Sequence, residues 1–287
     1  MEKTLLSLGH GYSAAYLARR LLPKGWKIAG TTRDPDKFEA FHAQGITPLL
    51  WDRDAILPWL ENASHVLVSA GPTDSGDPTL ALLAPDIAEH AHRLDWLGYL
   101  STTGVYGDAQ GGWVDETAPL TPTTERGRRR VQAEAAWSAI PDLPLHIFRL
   151  AGIYGPGRGP FSKVRDGTAR RIIKSGQVFS RIHVEDIAQT LEASMEAPNP
   201  GTAYNLCDDD PAPPQDVILH AASLLGVEAP PEVPFDEADL SPMARSFYAE
   251  SKRVRNDRIK DDLQVTLKYP DYRTGLAAIL AAERTGQ

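Results

Sequence analysis

The sequence predicts an α/β fold: a doubly wound parallel sheet with helices on both faces, followed by a smaller, irregular C-terminal substrate-binding lobe. Three observations carry that expectation. Short apolar runs alternate with apolar residues at helical spacing through the first 150 positions, the rhythm of strand–helix–strand units. The first run ends in Gly9-His-Gly-Tyr-Ser-Ala14, a tight glycine turn before a helix. Proline supplies 23 of 287 residues, above the average of about 5%, and it concentrates after position 140, so the chain has two unlike parts.

Thr4-Leu8 reads as the first strand. Ala14, Leu17, Ala18, Leu21 and Leu22 then follow at helical spacing, stopped by Pro23 and Gly25. Trp26-Thr31 is the second strand, and Asp34-Pro35 opens a helix that ends near Gly45. Ile46-Trp51 and His65-Ala70 are the third and fourth strands. A helix is expected within Leu80-Arg93, with Pro85 as a breaking or restarting point. Trp96-Ser101 is a fifth strand, Val131, Ala135 and Ala139 mark a helix, and Leu145-Leu150 is a sixth strand. Beyond 150 the rhythm breaks. Gly155-Arg158 lies in a loop, sheet-like pieces recur near Val178-Ile182 and Ala203-Leu206, and Asp208-Ser241 reads as loops around a helix at Gln215-Leu225. Asp271-Arg284 is a terminal helix. The expected division is a nucleotide-binding domain over 1–150, to which 179–210 returns, and a smaller substrate-binding lobe from 151–178 and 211–287.

Composition narrows the function. Acidic residues outnumber basic ones by 38 to 30, giving a net charge of −8, which argues against nucleic acid as a partner. The single cysteine, Cys207, forbids an intrachain disulfide and fits a reducing compartment. Met1-Glu2-Lys3 precedes only a short apolar run, unlike a secretory leader, and no run has the length of a membrane span. The expected location is therefore the cytoplasm.

In Gly9-His-Gly-Tyr-Ser-Ala14, Gly9 permits the turn, Gly11 lets a pyrophosphate approach the backbone, and Ala14 is small enough for close helix–strand packing. The helix N-terminus adds free N–H groups and a positive dipole end. This is a Rossmann-like dinucleotide site, with His10, Tyr12 and Ser13 as further candidate contacts, although a surface position is also open to His10 and Tyr12. An NAD site usually carries Asp or Glu near the end of the second strand. Here Thr32 and Arg33 stand there, and Arg33 can pair with a 2′-phosphate, so NADP(H) is expected ahead of NAD(H). Asp52 is either an adenine contact or a helix cap. Ala70, Gly71 and Pro72 lie where the cofactor would cross the sheet edge.

The middle of the chain resembles the extended short-chain dehydrogenases/reductases of the NAD(P)-dependent epimerase/dehydratase family. Leu100-Ser-Thr-Thr-Gly-Val-Tyr-Gly107 is similar to the family's S-S/T-x-x-V-Y-G segment, and Asp115-Glu-Thr-Ala-Pro-Leu-Thr-Pro122 to its D-E-x-x-P-x-x-P loop. Arg149 to Arg158 resembles R-x-x-x-x-Y-G-P-G-R, Arg181 to Ala188 resembles R-x-H-V-x-D-x-A, and Tyr204-Asn205-Leu206 the later Y-N-V strand. The likeness implies a Ser/Thr that bonds the substrate oxygen, a Tyr that moves the proton, and a Lys four residues later that holds the nicotinamide ribose. Thr102 matches the first. Arg126, Arg130 and Glu134 stand where the family has Tyr, Lys and Glu. Leu8 also replaces the first glycine of the family's phosphate loop. The chain thus reads as an atypical member that lacks the Tyr-Lys pair.

Arginine stays protonated, so Arg126 is a poor acid or base. It is read instead as a substrate contact or as part of an exposed Arg126-Arg130-Glu134 stripe, and Arg130 as a ribose or phosphate contact. Tyr106, Tyr154 and His183 are the remaining proton carriers or substrate contacts by type, each with packing as the competing role, and Arg158 is a candidate substrate anchor. No metal-ligand spacing and no G-x-S-x-G elbow is found. Two functions follow: an NADP(H)-dependent oxidoreductase or epimerase on a small polar substrate, or a cofactor-binding sensor or scaffold without turnover. By resemblance, a homodimer would form through the helices near 80–93 and 125–140.

Overall fold

The computed structural model describes residues 3–285, and the side chain of Met243 is left aside. Met1 and Glu2, where the leader reading begins, lie outside the described residues.

Seven strands form the central sheet: β1 (Thr4–Leu8), β2 (Lys27–Thr32), β3 (Thr47–Leu50), β4 (His65–Val68), β5 (Trp96–Thr102), β6 (Leu145–Leu150) and β7 (Thr202–Leu206). Their order is β7-β6-β5-β4-β1-β2-β3, and every neighbouring pair is parallel. Both faces are covered, which is why β1, β4 and β6 are buried along their whole length. The period-2 alternation sends Leu5, Leu67 and Leu100 to one face and Leu6, Leu8, Val66 and Val68 to the other.

On the first face, α1 (Tyr12–Leu21) buries Ala14, Leu17, Ala18 and Leu21, the i, i+3, i+4, i+7 stripe read from the sequence. Helix Val184–Glu196 packs beside it through Ile187, Ala188 and Leu191. The second face is covered by α3 (Arg53–Leu60), α4 (Pro78–His90) and α5 (Glu125–Ser138), through Ile56, Leu83, Ile87 and Trp137; the short α2 (Phe38–Ala43) lies at the first face, where Phe41 is buried. Pro85 does not break α4. Both Pro85 and Ala81, whose carbonyl loses its partner, are exposed, so water can satisfy that carbonyl. Helix α5 also begins six residues before Val131, because Thr124 caps it by accepting the Gly127 N–H at 3.1 Å.

Beyond β6 the chain builds short paired pieces. Gly152–Tyr154 pairs with Arg181–His183, and Arg171–Ile173 with Glu232–Pro234. Within 179–210 the segment hydrogen-bonded into the main sheet is Thr202–Leu206, against β6. Helices Pro214–Leu225 and Tyr272–Thr285 share a separate apolar cluster with Phe161 and Val164. The sheet order reverses between β1 and β4, and their carboxyl ends open a crevice there, the place where open parallel sheets bind ligands.

Candidate functional site

A cleft of about 1310 Å³ starts at this crevice and runs on to the C-terminal segments. Gly9 has φ 82°, and a Cβ there would lie 2.8 Å from the Ala70 nitrogen, so the turn can pass close to the end of β4 with glycine alone. Its N–H donates to Thr31 Oγ1 at 2.7 Å. Thr31 therefore sets the loop, a role invisible without the β1–β2 register. Gly11 precedes α1 and makes no side-chain cap, which leaves the first-turn N–H groups of Tyr12, Ser13 and Ala14 free for an anion. All of Gly9, Gly11, Tyr12, Ser13 and Ala14 line the cleft. Ser69, at the end of β4, also lines it, and its buried hydroxyl has no protein partner. An uncapped helix, a Gly11 whose Cβ would meet only the Gly9 carbonyl oxygen at 3.7 Å, and an orphan hydroxyl fit a dinucleotide.

His10 turns the other way. Its Nδ1 meets Ser7 Oγ at 3.0 Å and its ring packs edge-on to Phe41. Burial pushes its pKa down to about 4. Neither a cofactor contact nor the surface position considered from the sequence fits this inward side chain. Asp52 caps α3, accepting from Asp54 and Ala55 N–H groups at 3.0 and 3.3 Å, which is the second of its two expected roles. Thr32 Oγ1 accepts the Asp34 N–H at 3.1 Å and so shapes the turn that presents Arg33. The Arg33 guanidinium lies over the Trp51 ring at 5.6 Å, with its edge open to solvent. Gly71 leaves room for the Arg130 guanidinium, which a Cβ there would meet at 2.7 Å, while Ala70 backs the Gly9 turn and Pro72 follows on the half-exposed sheet edge.

Thr102, Arg126 and Arg130 share one wall of the cleft. Thr102 Oγ1 accepts the Gly104 N–H at 3.1 Å, so its own O–H remains available to a substrate oxygen. Arg130 donates to the Leu100 carbonyl at 2.6 Å and to Tyr99 Oη at 3.1 Å. Arg126 rests over Phe247 at 5.7 Å. Partial burial within the cleft, and then the like charges of Arg130 and Arg158, lower its pKa from the ordinary guanidinium range. What brings this wall together is Gly127. A Cβ there would lie 2.6 Å from Pro122 Cβ and 2.8 Å from the Gly104 carbonyl, so a larger residue would push α5 off the end of β5.

No exposed Arg126-Arg130-Glu134 stripe exists. Glu134 is 4% exposed and belongs to a buried network. It binds Arg149 at 2.8 Å and accepts the Ser101 hydroxyl at 2.5 Å. Arg149 also donates to Tyr106 Oη at 2.9 Å, and Tyr106 donates to Asn205 Oδ1 at 2.7 Å. Tyr106 is thus 3% exposed, is not part of the cleft wall, and has its hydroxyl engaged on both sides. Burial pushes its pKa up to about 12. This geometry gives it a packing role rather than that of a proton carrier.

His183 is likewise structural. It is 1% exposed, sits against Tyr269 and Tyr154, and its Nδ1 accepts the Glu185 N–H at 3.2 Å as the cap of helix Val184–Glu196. Its ring does not line the cleft but packs behind Tyr154, which does. The neighbouring Asp186 accepts the backbone N–H groups of Lys268 and Tyr269 at 2.7 and 3.0 Å. Tyr154 lines the cleft, but its hydroxyl donates to the Asp271 carbonyl at 3.3 Å, and burial pushes the phenol far above its usual range. Arg158 lines the cleft and lies over the Tyr12 ring at 5.8 Å, while Tyr12 Oη donates to the Pro156 carbonyl at 2.9 Å. The Gly155–Arg158 loop is thereby pinned to the first turn of α1.

The family model described as "NAD dependent epimerase/dehydratase family" matches residues 8–207. The chain belongs to that family. Other relatives extend the likeness over nearly all of the epimerase/dehydratase chain. A structure described as a functionally unknown conserved protein from Silicibacter pomeroyi is 63% identical, covers 97% of this chain and 98% of its own, and superposes with a TM-score of 0.94. Protein YeeZ of Escherichia coli K12 is 29% identical over 94% of this chain and 97% of its own length. The 3-diazoavenalumate denitrifying reductase of a Streptomyces species is 29% identical over 57% of this chain and 58% of its own. Among the described residues no helix is long and apolar enough to cross a membrane.

Proposed function

We propose that this member of the family is an NADP(H)-dependent oxidoreductase that acts on a small polar substrate without a Tyr-Lys pair. The observation that carries the reading is the single cleft that joins the uncapped N-terminus of α1 to Thr102 and Arg130. A bound dinucleotide would supply or accept a hydride at its nicotinamide. The N–H groups of Tyr12, Ser13 and Ala14 would hold its pyrophosphate, Ser69 and Arg130 its nicotinamide half, and Arg33 its 2′-phosphate. Thr102 would donate to the substrate oxygen. Arg126 and Thr102 do not exchange protons near neutrality, and the Tyr154 phenol is held protonated, so the proton would come from cleft water. Reduction tolerates that source. Epimerisation through a ketone needs a group that removes a hydroxyl proton and returns it, so reduction is favoured, in keeping with the reductase named among the relatives.

A second reading, a cofactor-binding sensor or scaffold without turnover, draws on Tyr106 being locked in the Glu134–Arg149 network. Fluorescence titration with NADPH and NADH tests the cofactor assignment. NADPH should bind tighter, and Arg33→Ala should abolish the difference; equal affinities in the native protein sink it. Loss of reduced-nicotinamide absorbance with a panel of small carbonyl compounds separates the two readings. Cytoplasmic location, and pairing of two copies through the exposed faces of α4 and α5, belong to the same proposal. A monomer in sedimentation analysis would remove the pairing.

A further inference from the structure

Five arginines line the cleft: Arg126, Arg130, Arg158, Arg170 and Arg181. Among the described residues none of these five makes an ion pair with a carboxylate, and the charges of Arg130 and Arg158 both bear on Arg126. Arg126 is an exposed member of this group. It is the second residue of α5, where the helix dipole favours negative charge. A cleft that gathers five arginines with no carboxylate paired to any of them, one at a helix N-terminus, suits an anionic ligand.

The surroundings narrow the anion. The Arg126 guanidinium lies over the Phe247 ring at 5.7 Å and that of Arg158 over the Tyr12 ring at 5.8 Å, and among the described residues neither donates a hydrogen bond, so each has an N–H edge to offer. A planar carboxylate matches such an edge with two parallel hydrogen bonds. On the cofactor reading above, phosphate would be held at the N-terminus of α1. The adjoining wall carries Phe247, Leu240 and Val217, a surface for an apolar body.

We propose that Arg126, assisted by Arg158, is a carboxylate-binding subsite beside Thr102, and that the substrate is a small carboxylic acid whose reducible oxygen reaches Thr102. The proposal deepens the oxidoreductase reading and rests on it for turnover, but not for binding. The test is calorimetric titration of the full chain, with and without NADPH, using pyruvate and phenylpyruvate, their neutral amides, and inorganic phosphate. The carboxylates should bind and the amides should not. Arg126→Gln should weaken the carboxylates about ten- to a hundredfold while NADPH affinity stays within about twofold, as expected for loss of one charge-assisted contact. Arg126→Lys should retain part of the affinity. Amides binding as well as acids, phosphate competing at the same strength, no carboxylate binding at all, or loss of NADPH affinity in Arg126→Gln would each overturn it. Carboxylate binding that depends on Arg126, without consumption of reduced nicotinamide, supports the subsite and counts against the oxidoreductase reading.

Discussion

Glu134→Ala tests whether the residue retained at the family's Glu position is structural. The carboxylate meets Arg149 at 2.8 Å and Ser101 at 2.5 Å, with side-chain exposures of 5% and 7% for Glu134 and Arg149. Its removal strands the Arg149 charge among buried groups. Breaking one half of a buried pair costs about 3–5 kcal/mol, and loss of the Ser101 bond adds about 1 kcal/mol. Relaxation and water entry should return part of this, so a loss of about 3–5 kcal/mol is expected, a large share of the roughly 5–15 kcal/mol of a typical protein. Urea unfolding followed by tryptophan fluorescence and by far-ultraviolet dichroism provides the measurement, provided the two transitions coincide. Glu134→Leu with Arg149→Met removes both charges and should recover most of the loss. A single variant within about 1 kcal/mol of the native protein, or a double variant no better than the single, would refute the argument.

Further outcomes follow from the same geometry. Tyr106→Phe should cost about 1–3 kcal/mol of stability, because it deserts Arg149 and Asn205, and should leave NADPH affinity unchanged; a turnover defect at full stability would return Tyr106 to the chemistry. Gly127→Ala should lower the melting temperature, as its Cβ would crowd Pro122 and the Gly104 carbonyl at a cost of about 1–3 kcal/mol, although alanine favours helices by about 1 kcal/mol. A rise in melting temperature would show that α5 does not need the close approach. Burial pushes His10, His65, His146 and His183 from 6.5 down to about 4. The unfolded chain therefore binds more protons between those values, and stability should climb with pH through that window and level off above it. Asp186, pushed up from 3.8 to about 6 by burial, works in the opposite sense and offsets part of the slope. A urea midpoint higher near pH 4.5 than near pH 7 would contradict this.

Local pattern made the sheet legible. Strands β1, β4, β5 and β6 are apolar runs because both faces of a parallel sheet are covered, and the α1 stripe lies in one stretch of sequence. The glycine turn could be read for the same reason. The buried network could not. Glu134, Arg149, Tyr106 and Asn205 come from α5, β6, the β5 end and β7, and which polar groups meet depends on strand order. Tyr106 looked chemical because a tyrosine beside a family threonine carries no mark of burial. His183 is open by type to a substrate contact or a buried polar position, and only the fold brings Tyr154 and Tyr269 against it from distant segments. Thr31 escaped notice because its partner, Gly9, lies 22 residues away.

The tie between Tyr12 and the Pro156 carbonyl makes the phosphate-facing helix turn and the far lip of the cleft one mechanical piece. A dinucleotide that stiffened one would stiffen the other, and an acid held by Arg158 would be felt at its pyrophosphate. The two ligands should therefore raise each other's affinity by a common factor, as linkage requires. Tyr12→Phe, which cuts the tie and keeps the ring, should shrink that factor toward one in a closed cycle of titrations.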